Sequence, residues 1–141
     1  MKIMMDLNVL LDFLQNREPY GHTAAELVEK ALRNRFDAVI PSHAATTLHY
    51  LIAKYNSVAK ANETIDWLLG NFVIAMCDGG VLRRARSLPL ADFEDAVVAA
   101  SAERERCQAI ATRNTVDFAG SPVPAIKPDD LLRQLAEKKS D

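Results

Sequence analysis

Residues 2–14 read KIMMDLNVLLDFL, from Lys2 to Leu14. The short run Lys2–Met5 is apolar enough for a buried strand, and it stops at Asp6. Val9, Leu10, Phe13 and Leu14 then fall on one face of a helix over Asn8–Leu14. A strand that hands over to a helix at a single acid is the start of a βα unit. With Asp6 and Asp12 inside it, the stretch is too short and too acidic for a signal peptide or a membrane span. A cytoplasmic protein without a membrane segment is the expectation.

The alternation continues outward. Arg17–Gly21 is a break containing Pro19, and His22–Asn34 has the helical period through Ala24, Leu27, Val28, Ala31 and Leu32. Asp37–Ile40 reads as a second strand ended by Pro41, with Ser42 as N-cap of a helix His43–Lys54. Ser57 caps Val58–Leu69, Phe72–Met76 is a third strand, and Gly79–Arg86 is a short helix. Asp92 caps Phe93–Glu105, Ala109–Ala111 is a fourth strand, and Val123–Ala125 is an edge strand. Pro128 opens a terminal helix that ends in a solvated charge run. The pattern predicts an α/β domain over residues 1–141: three α/β/α layers around a central, mostly parallel sheet of four to five strands.

The totals agree. The chain has 141 residues, 49% hydrophobic and 26% charged, enough for one core and little more. No linker, repeat or low-complexity tract interrupts it. The net charge of −2 argues against gripping nucleic acid by bulk positive charge. It leaves room for an enzyme whose bound cation supplies that charge locally. Cys77 and Cys107 belong to no metal-spaced motif and are expected as free, buried thiols in a reducing compartment.

In an open parallel sheet, ligands bind beyond the carboxyl ends of the strands. Asp6 follows the first strand. Ser42, Thr46 and Thr47 follow the second, and Thr112, Arg113, Asn114 and Asp117 follow the fourth. Asp92, Glu94 and Asp95 open the helix leading into the fourth strand, so its N-terminus points to the same edge. Two carboxylates about 4 Å apart at an effective dielectric near 20 repel by about 4 kcal/mol, so a cluster needs a proton or a cation. Hard oxygen donors suit Mg²⁺ or Mn²⁺. Each acid also has an ordinary structural use: Asp6 and Asp92 as caps, Glu94 and Asp95 as first-turn acids, Asp117 as a turn residue. His22, His43 and His49 have no evident carboxylate partner. Arg83, Arg84 and Arg86, with Arg113, read either as a phosphate-facing patch or as a solvated face.

The segments MMDLNVLLDFL, DFEDAVVAASA and AIATRNTVDFAGSPVPAIKPDDLL, in that order, resemble the opening, central and closing segments of PIN domains, including the VapC-like toxins of toxin–antitoxin pairs. The resemblance implies an Mg²⁺-dependent (or Mn²⁺-dependent) ribonuclease acting on RNA and held by a small antitoxin. Asp6, Asp95 and Asp117 become the metal-binding, catalytic acids. Asn114 is the alternative match for the last site. Thr112 becomes a hydrogen-bonding support. By their places in the chain rather than by the resemblance, Thr47, Ser42 and Asp92 are expected as further supporting residues and Arg113 and Arg83 as RNA contacts. Exposed apolar residues on the helices His43–Lys54 and Val58–Leu69 suggest a homodimer.

One departure stands out. The family's usual Glu after the second strand falls near Thr47, and SHAATTLHYLIAK carries no acid. A looser metal site is expected, with a second reading open: a catalytically weak PIN-fold module that binds RNA or a protein partner. An unrelated hydrolase is disfavoured by the lack of GxSxG, of a phosphate-cradling glycine loop and of a Cys–His pair.

Overall fold

Successive side chains on a strand point to opposite faces, and the first strand, β1 (Lys2–Met5), sorts the core accordingly. Ile3 and Met5 face one apolar cluster and Met4 faces another. The computed structural model describes residues 1–140, with side chains to Lys138. The end of the expected charge run, Lys139–Asp141, lies outside the residues whose side chains are described.

The elements that follow are α1 (Leu7–Leu14), α2 (Gly21–Leu32), β2 (Asp37–Ile40), α3 (Ser42–Tyr55), α4 (Val58–Asn71) and β3 (Val73–Ile74). Next come α5 (Gly79–Ser87), α6 (Phe93–Arg104), β4 (Ala109–Ala111), a 3₁₀ turn (Thr115–Phe118), β5 (Ala125–Ile126) and α7 (Pro128–Ser140). The described strands form one five-stranded sheet in the order β3-β2-β1-β4-β5, and every neighbouring pair is parallel. One face of the sheet, through Ile3, Met5, Ala38, Ile40 and Ala111, packs on α1 to α4 and α7. The other, through Met4, Val39 and Ile110, packs on α6, and α5 lies outside α6. This is the expected three-layer α/β/α arrangement. Residues Ala96–Ala102 are all buried, because α6 is covered by the sheet on one side and by α5 on the other.

Several local readings shift. Ser42 is the first residue of α3 rather than its cap: Pro41, at φ −62° and ψ 138°, takes the cap position, and no side chain caps the helix. The third strand shrinks from Phe72–Met76 to Val73–Ile74, an edge strand paired on one side only. Phe72 instead ends α4, with its ring edge-on to Trp67. The last strand sits at Ala125–Ile126 rather than Val123–Ala125. Pro124 has no N–H to donate to a ladder, and Val123 is tied into a turn by the Ser121 hydroxyl, which donates to its carbonyl at 2.6 Å. Ser57 and Asp92 cap α4 and α6 as read from the sequence.

No helix among the described residues is long and apolar enough to cross a membrane. Both cysteines are free. Cys107 is buried as expected, whereas Cys77 is only half-buried.

Candidate functional site

Asp6 stands where β1 ends, and the tight passage into α1 gives it two duties. Its backbone is extended and Oδ1 caps the helix by accepting from the Leu7 N–H at 2.8 Å. Oδ2 accepts from the Thr112 hydroxyl at 2.8 Å and from Asn8 Nδ2 at 3.4 Å. Thr112 directly follows β4, next to β1 in the sheet, and is fully buried. Its oxygen also accepts from Asn8 Nδ2 and from the Asn114 backbone N–H, both at 3.1 Å. Asp6 is 8% exposed. Burial pushes its carboxyl up, and the bonds from Thr112 and Leu7 and the nearby His43 partly oppose that.

Asp95 lies in the first turn of α6. Its backbone N–H donates to Asp92 Oδ1 at 3.0 Å, so Asp92 serves as the cap that orients this turn. Burial pushes the Asp95 carboxyl up to about 6, and the charges of Asp92, Asp6, Asp117 and Glu94 add to the shift, in that order. Four acids from three parts of the chain thus act on one carboxylate. Asp92, Asp95 and Asp117 also line a cleft of about 500 Å³, walled on its apolar side by Pro89, Leu90 and Val116. Asp117 is exposed on the 3₁₀ turn.

Two residues at this edge lie outside the site read from the sequence. Asn8, two positions after Asp6, ties Asp6, Thr112 and the Arg113 backbone together. Its Oδ1 accepts from the Arg113 N–H at 3.4 Å. His43, read as partnerless, lies with Nε2 3.2 Å from Glu94 Oε1 and within electrostatic reach of Asp6. The contact is one of charge, present when the ring is protonated. The same buried nitrogen makes no hydrogen bond, so it approaches the Glu94 carboxylate closely without being aligned with it. The signal for His43 was its spacing: Thr47 follows it by four residues, on the same face of α3.

The other candidates divide. Ser42 and Thr47 are half-buried on α3. Asn114 is exposed beside Thr112. Arg83 is exposed on α5. The arginines do not act together as one patch: Arg84 pairs with Glu103 at 2.8 Å, and Arg113 pairs with buried Asp12 at 2.6 Å.

The oxygen donors Asp6, Asp95 and Asp117 have the chemistry a hard divalent cation requires, and their mutual repulsion is what such an ion relieves. Among the described residues no three Asp, Glu, His or Cys side chains stand close enough to share one ion. That geometry is not a preformed cage. Mg²⁺ commonly keeps waters and takes one or two carboxylates plus substrate phosphate, a smaller demand than a three-ligand cage.

A family model described as PIN domain matches residues 2–116. No curated protein matches the chain in sequence. Among solved structures, a toxin–antitoxin complex from Klebsiella pneumoniae aligns with a TM-score of 0.68 at 22% identity, over 89% of this chain and 97% of that one. VapBC2 from Rickettsia felis, bound to a DNA fragment from their promoter, gives 0.68 at 16% identity over 90% and 98%. VapC20 from Mycobacterium tuberculosis, a sarcin–ricin loop cleaving toxin, gives 0.69 at 14% identity over 89% and 99%. At these identities the likeness is one of fold.

Proposed function

The chain belongs to the PIN-domain family, and from that premise we propose that it is a metal-dependent endoribonuclease, the toxin of a toxin–antitoxin pair. The observation that carries the reading is that Asp92, Asp95 and Asp117 line one cleft at the carboxyl edge of a parallel sheet, with Asp6 near enough for its charge to act on Asp95. The structural likeness to toxin–antitoxin proteins supports it.

In this reading Asp6, Asp95 and Asp117 hold Mg²⁺ or Mn²⁺. A bound ion supplies the positive charge that offsets the phosphate and lowers the pKa of an attacking water. The protein's own residues supply position. Thr112 and Asn8 fix the Asp6 carboxylate, and the Asp92 cap presents Asp95 on a rigid helix start. Asp117 closes the cleft from the 3₁₀ turn. The substrate is RNA in a single-stranded or looped form, whose backbone and bases are open to contact. The protein acts in the cytoplasm and is held by a small antitoxin. It works as a homodimer, for which the exposed Tyr50, Tyr55 and Val58 on α3 and α4 provide an apolar face.

A second reading has two specific observations behind it: Thr47 in place of the family's Glu, and no group of three potential ligands among the described residues. A PIN-fold module that binds RNA or a protein without cleaving it would have both features.

Incubation of structured RNA with Mg²⁺, Mn²⁺ or chelator, beside Asp6→Asn and Asp95→Asn variants, separates the two. Cleavage that needs metal and is lost in both variants establishes the nuclease. A folded protein that cleaves nothing, and whose melting temperature ignores divalent ions, leaves the binding module. Thr47→Glu then asks whether α3 faces the ion: tighter Mg²⁺ binding places it there, and unchanged affinity removes it.

A further inference from the structure

Adjoining the acidic edge through the turn Thr112–Asn114 is a second cleft of about 400 Å³, lined in part by Tyr20, Arg113, Asn114 and Lys127. We propose that this cleft is a nucleotide subsite: it receives one base of single-stranded RNA running on from the scissile phosphate, stacked on the Tyr20 ring, with the adjoining phosphate against Lys127. The inference rests on the nuclease reading and deepens it.

The platform is built from the core outward. Asp12 is buried on α1, and its carboxylate takes a forked contact from Arg113, Nε at 2.6 Å and Nη2 at 3.3 Å. That fork fixes the guanidinium plane. The guanidinium carbon lies 4.2 Å from the centroid of the Tyr20 ring, which is thereby held in place at the cleft wall. Tyr20 nevertheless remains 44% exposed. A rigid, backed aromatic ring loses little freedom when a second flat group stacks on it. Stacking on an aromatic ring suits any base, because every base has a π-face.

The polar groups fit the same ligand. The Asn114 side-chain amide makes no hydrogen bond among the described residues, so its donor and acceptor are available to a base edge. Lys127 is exposed and has no ion pair among the described residues. The acids at the cleft are already engaged. Asp12 is neutralised by Arg113, and Asp129 accepts from the Thr23 hydroxyl at 3.0 Å in the first turn of α7, where the helix dipole favours it. The cleft is thus close to charge-balanced. Stacking, with one phosphate contact, has to supply the binding. A volume of about 400 Å³ is at the small end of ligand sites, which suits one nucleotide rather than a helix.

Continuity with the acids comes from the turn. Thr112 holds Asp6, and the next residue, Arg113, forms the floor under Tyr20. RNA lying across Thr112–Asn114 would pass from one cleft to the other.

The test measures anisotropy of a short, labelled, mixed-sequence single-stranded RNA in an Asp95→Asn background with Mg²⁺, beside cleavage of the same RNA by the unsubstituted protein. Tyr20→Phe should bind as the parent does. Tyr20→Leu should bind about tenfold more weakly, as expected for one lost base stack. Lys127→Gln should reduce the slope of log affinity against log salt by about 0.7, the value for one phosphate on a single strand. Tyr20→Leu can loosen Arg113, so photo-crosslinking of a 4-thiouridine RNA to the unsubstituted Tyr20, mapped by mass spectrometry, gives a reading that needs no substitution. RNA that is cleaved, yet binds Tyr20→Leu and Lys127→Gln like the parent and cross-links elsewhere, overturns the subsite and leaves the nuclease standing. RNA that is neither bound nor cleaved overturns both.

Discussion

The Thr112 hydroxyl donates a 2.8 Å hydrogen bond to Asp6 Oδ2 across 106 positions of sequence, between the ends of two neighbouring parallel strands. The same oxygen accepts from Asn8 and from the Asn114 backbone. A single buried hydroxyl therefore sets the rotamer of the acid at the centre of the sheet edge and the start of the turn that carries Arg113.

Thr112→Val keeps the shape and removes the hydroxyl. The buried Asp6 carboxylate loses one donor, and the Asn8 amide and Asn114 N–H lose an acceptor. Stability should fall by about 1–3 kcal/mol in urea unfolding, the usual cost of stranding buried polar groups. Thr112→Ser should recover most of it. Equal midpoints for valine and threonine would mean the hydroxyl does not hold Asp6 in solution.

Asp95 gives a pH signature. Its carboxyl is pushed up to about 6 from an ordinary 3.8, first by burial and then by the surrounding acids. A folded-state value above the unfolded one means that folding favours the protonated acid. The stabilisation is complete below about pH 4 and is lost as pH rises through about 6. Asp95→Asn removes that loss. Its advantage over the parent in urea midpoint should grow between about pH 4 and about pH 6 and level off above that, and saturating Mg²⁺ should narrow it by binding the parent's native state. An advantage that does not change with pH would rule out the coupling.

Arg113→Ala leaves Asp12, whose side chain is 2% exposed, with a buried charge and no partner. Removing one member of such a pair costs about 3–5 kcal/mol. The double variant Asp12→Leu, Arg113→Met should be much less destabilised than Arg113→Ala, because no charge is stranded. Thermal or urea unfolding checks this directly. A mild Arg113→Ala would show that water reaches Asp12.

The cysteines should differ. Burial pushes the Cys107 thiol up to about 11, and the thiolate is the reactive form. A disulfide reagent at about pH 8 should modify Cys77 quickly and Cys107 only on unfolding. Two fast thiols in the native protein would contradict the packing of Cys107.

Much of the fold was legible along the chain because its signals are local. The parity of Ile3, Met4 and Met5, the helical periods and the caps at Ser57 and Asp92 each depend on residues within one or two turns. Alternation of strands with helices, together with right-handed crossovers, then brings Asp6, Thr112 and the start of α6 to one edge. Local reading failed where pairing decides. Phe72–Met76 has strand chemistry throughout, yet an edge strand extends only as far as its single neighbour, β2, pairs with it. Ser42 has a capping side chain, yet the backbone at Pro41 had already taken the cap position.

The sequence by itself determined the element order, the parallel sheet and which acids lie at strand and helix ends, because periodicity and turn chemistry act over a few residues. Only the tertiary structure decided that His43 meets Glu94, that Arg113 turns inward to Asp12 and that Tyr20 covers it. Those contacts join side chains from separate elements. Which ones meet depends on how the helix faces settle on the sheet, and a one-dimensional pattern does not contain that.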